Sequence, residues 1–406
     1  MYNEFLARYT KSGTPIKDLS RFASLMHRLG DPQDKLRFIH VAGTNGKGSA
    51  VRMLSEIFTL AGYTTGEFTS PFIYHYNDRI KIDGKEIPDE DIERFIKVIE
   101  PCLSDEGYSQ FEITNAIAFL WYVENNCDAV ILEAGMGGLL DSTNIIKNNI
   151  CSVIMSVSLD HTAVLGNTTA EIAAQKAGII KDGCPCVLYP LNDSDTLNAV
   201  EKAARKCASK LIIPDTAAIT EENVDEHGCR FLYKGERYKT SMAGRHQIYN
   251  AVTAAEAAHT AIAEYDRITD DIIKEGIFRA AVPSRMQIIS GQPEIIIDGA
   301  HNPDAMKRLA DFVSALPHSP KIMVCGMNSS KDHKTALSCI SPYIDHAYCI
   351  DDFTFGTVSA DEIAECFTSA ETATTKEALY LAKQRAGDNG LVVIAGSLYI
   401  ASAIFE

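Results

Sequence analysis

Apolar residues along this chain come in short unbroken runs, separated by stretches with helical spacing. Residues 38–42, 129–132 and 152–157 are such runs in the first part, and 294–297, 321–324, 347–350 and 391–395 in the second. Short runs rich in β-branched residues, bounded by glycine or polar positions, predict strands buried on both faces. Between them the spacing turns to three and four residues, as at Leu54, Ile57, Phe58 and Ala61, which predicts helices. Strand alternating with helix predicts α/β units around a mostly parallel sheet. Residues 211–242 break this rhythm. They are polar, charged and alternating, as in Arg230-Phe-Leu-Tyr-Lys-Gly-Glu-Arg-Tyr-Lys. That pattern predicts a small antiparallel hairpin region inserted in or appended to the first sheet. An alanine-rich helix is expected over residues 250–263. The proline-containing segment 279–286 is the predicted boundary, giving a unit over 1–284 and a smaller α/β unit over 285–406.

The run His40-Val-Ala-Gly-Thr-Asn-Gly-Lys-Gly-Ser-Ala joins a predicted strand to a predicted helix. Glycines let the backbone approach an anion closely. Free N–H groups at a helix start, together with the helix dipole, favour negative charge. Lys47 adds a point charge, and a serine hydroxyl can reach a metal ion or a phosphate oxygen. Gly43, Thr44, Asn45, Gly46, Lys47, Gly48 and Ser49 are therefore candidate nucleotide-phosphate ligands. The run departs from the general G-x-x-x-x-G-K-[ST] pattern, with Val41 at the first glycine position and Gly48 directly after the lysine.

Composition narrows the partners. With 54 acidic and 38 basic residues among 406, the formal net charge is −16, which argues against a nucleic-acid backbone. No apolar run is long enough for a membrane span, and the opening residues 1–11 lack the apolar core of a signal peptide. Eleven cysteines without a C-x-x-C pair read as free thiols in a reducing cytoplasm. Cys184 and Cys186, flanking a proline, lack zinc spacing.

Polar residues close several predicted strands. Glu133 ends one, Asp160 and His161 follow another, and the glycine-rich loop follows a third. Ligands bind beyond the carboxyl ends of parallel strands, so these groups should converge. Glu133 reads equally as a carboxylate capping the next turn, and His161 alone reads as a satisfied loop or core histidine. Thr168-Thr-Ala-Glu has capping-box spacing, which starts a helix that places Lys176 on the apolar face of Ile172 and Ala173. Snorkelling to solvent is the plain expectation for such a lysine. The alternative is a desolvated amine of lowered pKa, able to take up carbon dioxide as a carbamate. Beyond the boundary, Asp298-Gly-Ala-His-Asn-Pro sets an acid and a histidine on one strand-end turn.

In order along nearly the whole chain, these runs resemble the folylpolyglutamate synthase/dihydrofolate synthase family of the Mur ligase superfamily. The resemblance is carried by the glycine-rich loop, Thr69-Ser-Pro, Asn77-Asp-Arg-Ile, Phe111-Glu-Ile-Thr, Glu133-Ala-Gly-Met-Gly-Gly, Asp141-Ser-Thr-Asn, Asp160-His, Lys176-Ala-Gly-Ile-Ile-Lys, Gly244-Arg-His-Gln, Asn250-Ala, Arg285, Asp298-Gly-Ala-His-Asn-Pro, Lys331-Asp and Gly396-Ser-Leu-Tyr. It implies an N-terminal P-loop nucleotide-binding domain like the Mur ligase central domain, and a smaller C-terminal Rossmann-like domain. It implies an ATP-dependent ligase adding L-glutamate to a reduced folate or to dihydropteroate through an acyl phosphate. Lys47, Lys176, His161 and His301 would be catalytic. Ser70, Glu133 and His161 would hold magnesium, Lys176 would be carbamylated, and potassium is left open. Asn250 would contact adenine, Arg285 and Asp298 would reach ATP, and His301 would meet the incoming amino acid. A cytoplasmic monomer is the family expectation. Phe72, Leu139 and Gln175 stand where many relatives have His, Arg and Glu. They bear on the folate pocket and leave the acceptor undecided. Two rivals remain: a Mur-type amide ligase for another acceptor, and a nucleotide-binding regulator without ligase activity. The 37 residues before the first strand are too few for the extra N-terminal domain usual in peptidoglycan-precursor ligases.

Overall fold

The computed structural model describes residues 2–9, 18–103 and 107–405. Part of the opening run 1–11 therefore lies outside the described residues. The first sheet takes β1 (Phe38–Ala42), β2 (Thr65–Phe68), β3 (Ile80–Ile82), β4 (Lys85–Glu86), β5 (Ala129–Glu133), β6 (Asn149–Ile154), β7 (Cys186–Leu188) and β8 (Leu211–Ile212). Their spatial order is β4-β3-β2-β5-β1-β6-β7-β8. All pairings are parallel except those of β3 with β2 and β4. Every residue of β1, β5 and β6 is buried, because helices cover both faces. Helices Lys47–Leu60 and His246–Ala261 pack on one face, and Gln110–Glu124 on the other. The predicted run at 152–157 begins three residues earlier, at Asn149. Beyond Ile154 the chain turns, and the Ser156 carbonyl accepts the N–H groups of Thr44 and Asn45.

The region expected as a hairpin on the first sheet is corrected. Only β8 joins that sheet. β9 (Ile219–Asp225), β10 (Gly228–Tyr233) and β11 (Glu236–Thr240) form a separate antiparallel sheet. The alternation explains why. It gives this small sheet an apolar face of its own, with Cys229, Phe231, Tyr233 and Tyr238 buried in the core shared with helix His246–Ala261.

The second large sheet takes β12 (Gln287–Ile289), β13 (Glu294–Ile297), β14 (Lys321–Cys325), β15 (His346–Cys349), β16 (Ala370–Thr372) and β17 (Leu391–Ala395). Its order is β12-β13-β17-β14-β15-β16, parallel except at β12. Helices on each side close two further apolar clusters. Among the described residues no helix is long and apolar enough to cross a membrane.

Candidate active site

The C-terminal ends of β1, β5 and β6 meet the C-terminal end of β13 across one cleft that is open at its mouth. In the first sheet β1 lies between β5 and β6 while the chain runs from β1 out to β2, so the loop after β1 sits where strand order switches. Gly43 to Ser49 form the cleft's floor. Gly46 has φ +86°, and a Cβ there would lie 2.7 Å from Asn250 Oδ1, so only glycine fits. Helix Lys47–Leu60 starts immediately after it. Lys47 folds back on its own loop, Nζ donating to the carbonyls of Gly43 (3.1 Å) and Thr44 (3.4 Å). It also lies 3.8 Å from Glu133 Oε1.

Glu133 does not cap the turn after its strand. Its carboxylate points across to β2's loop and accepts the Ser70 N–H at 3.4 Å. Burial pushes its pKa up, against the pull of Lys47 and Arg285. His161 adopts φ +49° at the start of a short helix, and its ring stands in the cleft wall rather than in a core. Its Nε2 is 3.4 Å from Lys331 Nζ. Burial pushes Asp160 up, but Lys331, His161 and His301 outweigh that and hold its carboxyl at about 2.

The snorkelling expected of Lys176 is corrected. Helix Thr169–Ala177 has the predicted capping box at Thr168 and Glu171. It turns Ile172, Ala173 and Lys176 inward, and the lysine is only 4% exposed. Its Nζ donates to the Gly43 carbonyl at 2.8 Å, so the amine ends against the glycine-rich loop. Burial, and then the charge of Lys47, push its pKa down to about 7.

The second sheet supplies Arg285, Asp298 and His301 to the same cleft. Both Asp298 oxygens are occupied by backbone N–H groups, those of Met286 (2.7 Å) and Ala300 (2.7 Å). The carboxylate thus shapes its own turn. His301 Nδ1 bonds the Gly299 carbonyl at 2.7 Å, which makes Nδ1 the donor and leaves the Nε2 lone pair without a hydrogen bond, 3.8 Å from Asp160 Oδ2. Burial pushes that imidazole down to about 4.

Every residue expected from sequence to hold nucleotide, metal or amino acid, from Gly43 to His301, borders this one cleft, whereas Phe72, Leu139 and Gln175 do not line it. Asn45 differs in where its side chain goes. It reaches the second sheet's helix Pro303–Ala315, donating to Asp304 Oδ2 (2.8 Å) and accepting from Asn302 Nδ2 (3.1 Å). Sequence reasoning assigned no role to several residues in or beside the cleft. Lys331 Nζ bonds Asp160 Oδ1 at 2.7 Å between the two units. Arg308 Nη2 bonds Ser156 Oγ and Asp304 Oδ2, both at 2.9 Å. One signal was available for Arg308: it stands four residues after Asp304, hence on the same helix face. His246 and Gln247 also line the wall.

A phosphate loop facing a second α/β unit across a cleft defines an ATP-dependent ligase of the Mur type. The Mur ligase middle domain matches residues 41–258, and the Mur ligase glutamate ligase domain matches residues 284–398. The chain belongs to the folylpolyglutamate synthase/dihydrofolate synthase family. It is 34% identical to the dihydrofolate synthase/folylpolyglutamate synthase of Bacillus subtilis, over 95% of this chain and 94% of that one. It is 31% identical to the folylpolyglutamate synthase of Lacticaseibacillus casei, over 99% and 96%. Among solved structures, Escherichia coli FolC in complex with DHPP and ADP superposes with a TM-score of 0.89 at 27% identity, covering 100% of this chain and 96% of that one. A bifunctional synthase with Mn, AMPPNP and L-glutamate bound superposes with a TM-score of 0.87 at 28% identity, over 100% and 96%.

Proposed function

We propose that this chain uses ATP to join the amino group of L-glutamate to the carboxyl group of a folate, with residues 1–284 holding the nucleotide and 285–406 the amino acid. One observation carries the assignment of roles: the phosphate loop and the Asp298–His301 turn, from different sheets, face each other across a single cleft.

A free carboxylate is a poor acyl donor because oxide leaves badly. Phosphoryl transfer from ATP converts it to an acyl phosphate. The glutamate amine then attacks the acyl carbon, and the tetrahedral intermediate collapses to an amide with loss of phosphate. No enzyme nucleophile is needed, so the protein contributes positioning and electrostatics. Backbone N–H groups of Gly46, Gly48 and Ser49 cradle the phosphates, and Lys47 and Arg285 neutralise the charge that develops on them. Asn250 and Gln247 stand at the helix start behind the loop, where they contact the base. His301, whose Nε2 carries a lone pair, faces the incoming amine.

The donor set fits a magnesium ion. Glu133 is a buried carboxylate with one long backbone hydrogen bond and a lysine at 3.8 Å, so it is short of partners. Ser70 and His161 border the same space. Among the described residues no three His, Cys, Asp or Glu side chains gather as a metal cluster. A magnesium ion held by Ser70, Glu133 and His161 would take phosphate oxygens and water as its other ligands, as is usual for magnesium. When bound, it neutralises charge on the transferring phosphoryl group.

Lys176, with a pKa near 7, has roughly half its amines neutral at that pH. Its nitrogen can add carbon dioxide, losing a proton to give a carbamate beside the glycine-rich loop. The proposed setting is a cytoplasmic monomer; its eleven cysteines are all free, in keeping with a reducing compartment.

The testing experiment is phosphate release from ATP with magnesium and L-glutamate, comparing dihydropteroate with a tetrahydrofolate. Release with both indicates a bifunctional synthase, and release with the tetrahydrofolate alone indicates a polyglutamylating enzyme. Folded, ATP-binding protein that is silent with both has another acceptor or is a regulator. Lys47→Ala is expected to lower turnover by about 100-fold or more, the scale for removing one transition-state donor. Full turnover in that variant contradicts the assignment.

A further inference from the structure

Arg79 closes the helical turn Tyr76–Arg79 ahead of β3. The residue is 9% exposed, and its Nε is buried without a hydrogen-bond partner. Among the described residues no carboxylate stands within ion-pair distance of the guanidinium. The chain treats other shielded guanidiniums differently. Arg21 grips Glu112 at 2.7 Å, and Arg52 pairs with Glu67 at 2.9 Å as well as with Glu56. Leaving a buried cation unpaired is costly, which is why natural chains rarely do it without a use.

The company Arg79 keeps is aromatic. Its guanidinium carbon lies 5.1 Å from the Phe72 ring centre and 5.8 Å from that of Tyr76. Phe72 in turn meets Tyr399 at 5.8 Å. Ring faces attract a cation, but they do not satisfy a fork of five N–H donors. Burial pushes the guanidinium's pKa down, and the fields of Tyr76, Tyr399, Asp78 and Glu133 oppose it without outweighing it.

The position adjoins the reacting end of the cleft. The Arg79 carbonyl accepts the Thr69 N–H at 2.9 Å, and the next residues, Ser70 and Pro71, line the cleft. Tyr399 follows Leu398, which lines it from the second unit. The aromatic walls therefore come from both units.

We infer that Arg79, walled by Phe72, Tyr76 and Tyr399, is a binding site for a substrate carboxylate carried on a glutamyl group. The inference rests on the function proposed above. A planar guanidinium fork matches a carboxylate bidentately, and a site that dry favours a charged partner over water. Two sources carry this chemistry: free L-glutamate, and the glutamyl end of a folate acceptor. Dihydropteroate separates them from a control, because its single carboxyl is the one that reacts.

The test uses the full chain with Arg79→Met and Arg79→Lys. With a non-hydrolysable ATP analogue present, calorimetry measures binding of L-glutamate, a tetrahydrofolate and dihydropteroate, and thermal unfolding is followed alongside. Arg79→Met is expected to keep or raise Tm, because it replaces an unpaired buried cation by an apolar chain. Nucleotide affinity stays unchanged. Binding of one glutamyl ligand weakens by about tenfold or more, dihydropteroate binds as before, and Arg79→Lys falls between. Loss for L-glutamate assigns the carboxylate to the incoming amino acid, and loss for the tetrahydrofolate assigns it to the acceptor. Undiminished binding of both in Arg79→Met overturns this site alone. A large fall in Tm, or failure to fold, also overturns it by marking Arg79 as a structural cation. Wild-type protein that binds none of the three brings down the proposed function, and this site with it.

Discussion

Lys176 occupies an inward position that, by its neighbours Ile172 and Ala173, belongs to an apolar residue. Its pKa of about 7 lies below the usual 10.5. Between those values the unfolded chain binds a proton that the folded chain does not. Stability therefore rises with pH across that window, and the full desolvation penalty applies below about pH 7. In buffer free of carbon dioxide, Lys176→Met is expected to lose that part of the slope and to unfold at higher temperature than wild type at pH 6. A pH series of thermal unfolding checks it, and an unchanged slope contradicts the depressed pKa. The sequence showed this lysine on an apolar face. Whether its tip reached water depended on the loop after β1 closing over it, which no local pattern encodes. His161 has a similar history. Alone it read as an ordinary loop histidine, and it acquires meaning from Lys331, 170 residues away.

At the scale of elements, close backbone approaches set the relation between loop and helix. A Cβ on Gly178 would lie 2.5 Å from the Leu139 backbone, and one on Gly138 would lie 2.7 Å from the Lys176 carbonyl. Gly178→Ala must therefore push the loop at 135–140 away from the helix that carries Lys176. It is expected to cost about 1–3 kcal/mol, the scale of overpacking, and to lower turnover as well. Denaturant unfolding with a parallel activity assay tests this, and unchanged stability would show that the loop yields freely. The side-chain clasp between Asn45 and the start of helix Pro303–Ala315 is a second contact between elements. A double-mutant cycle on Asn45→Ala and Asp304→Ala is expected to show non-additive losses in turnover, with coupling of about 0.5–3 kcal/mol; additive losses would mean the two act independently. The seven expected strands were legible because full burial writes itself as unbroken apolar runs. β7, β8, β12 and β16 were not, since two or three residues carry too little pattern to stand out. The separate small sheet was misplaced because alternation reveals a half-buried strand without naming its partner.

Across the whole molecule, an acidic chain concentrates Lys47, Lys176, Arg285 and Arg308 around one cleft. Such focusing suits anionic substrates and would be diluted if the two units separated. Lys331 to Asp160 is a shielded ion pair between the units, with side chains 12% and 10% exposed. Lys331→Met is expected to lower kcat by about tenfold or more while ATP affinity holds within about twofold, the pattern for a contact that matters after the nucleotide is seated. A parallel loss of ATP affinity would place Lys331 with the nucleotide instead.

The sequence by itself determined the alternation of buried strands and helices, the glycine-rich loop and the set of polar strand ends. These are local consequences of burial, backbone freedom and strand polarity, so they survive in a linear string. The tertiary structure decided which strand ends face one another. It turned Lys176 inward and Asn45 outward to a helix more than 250 residues away. It also left Arg79 buried among rings without a counter-charge. Those outcomes depend on distances between segments that share no pattern, and such distances exist only once both sheets have packed.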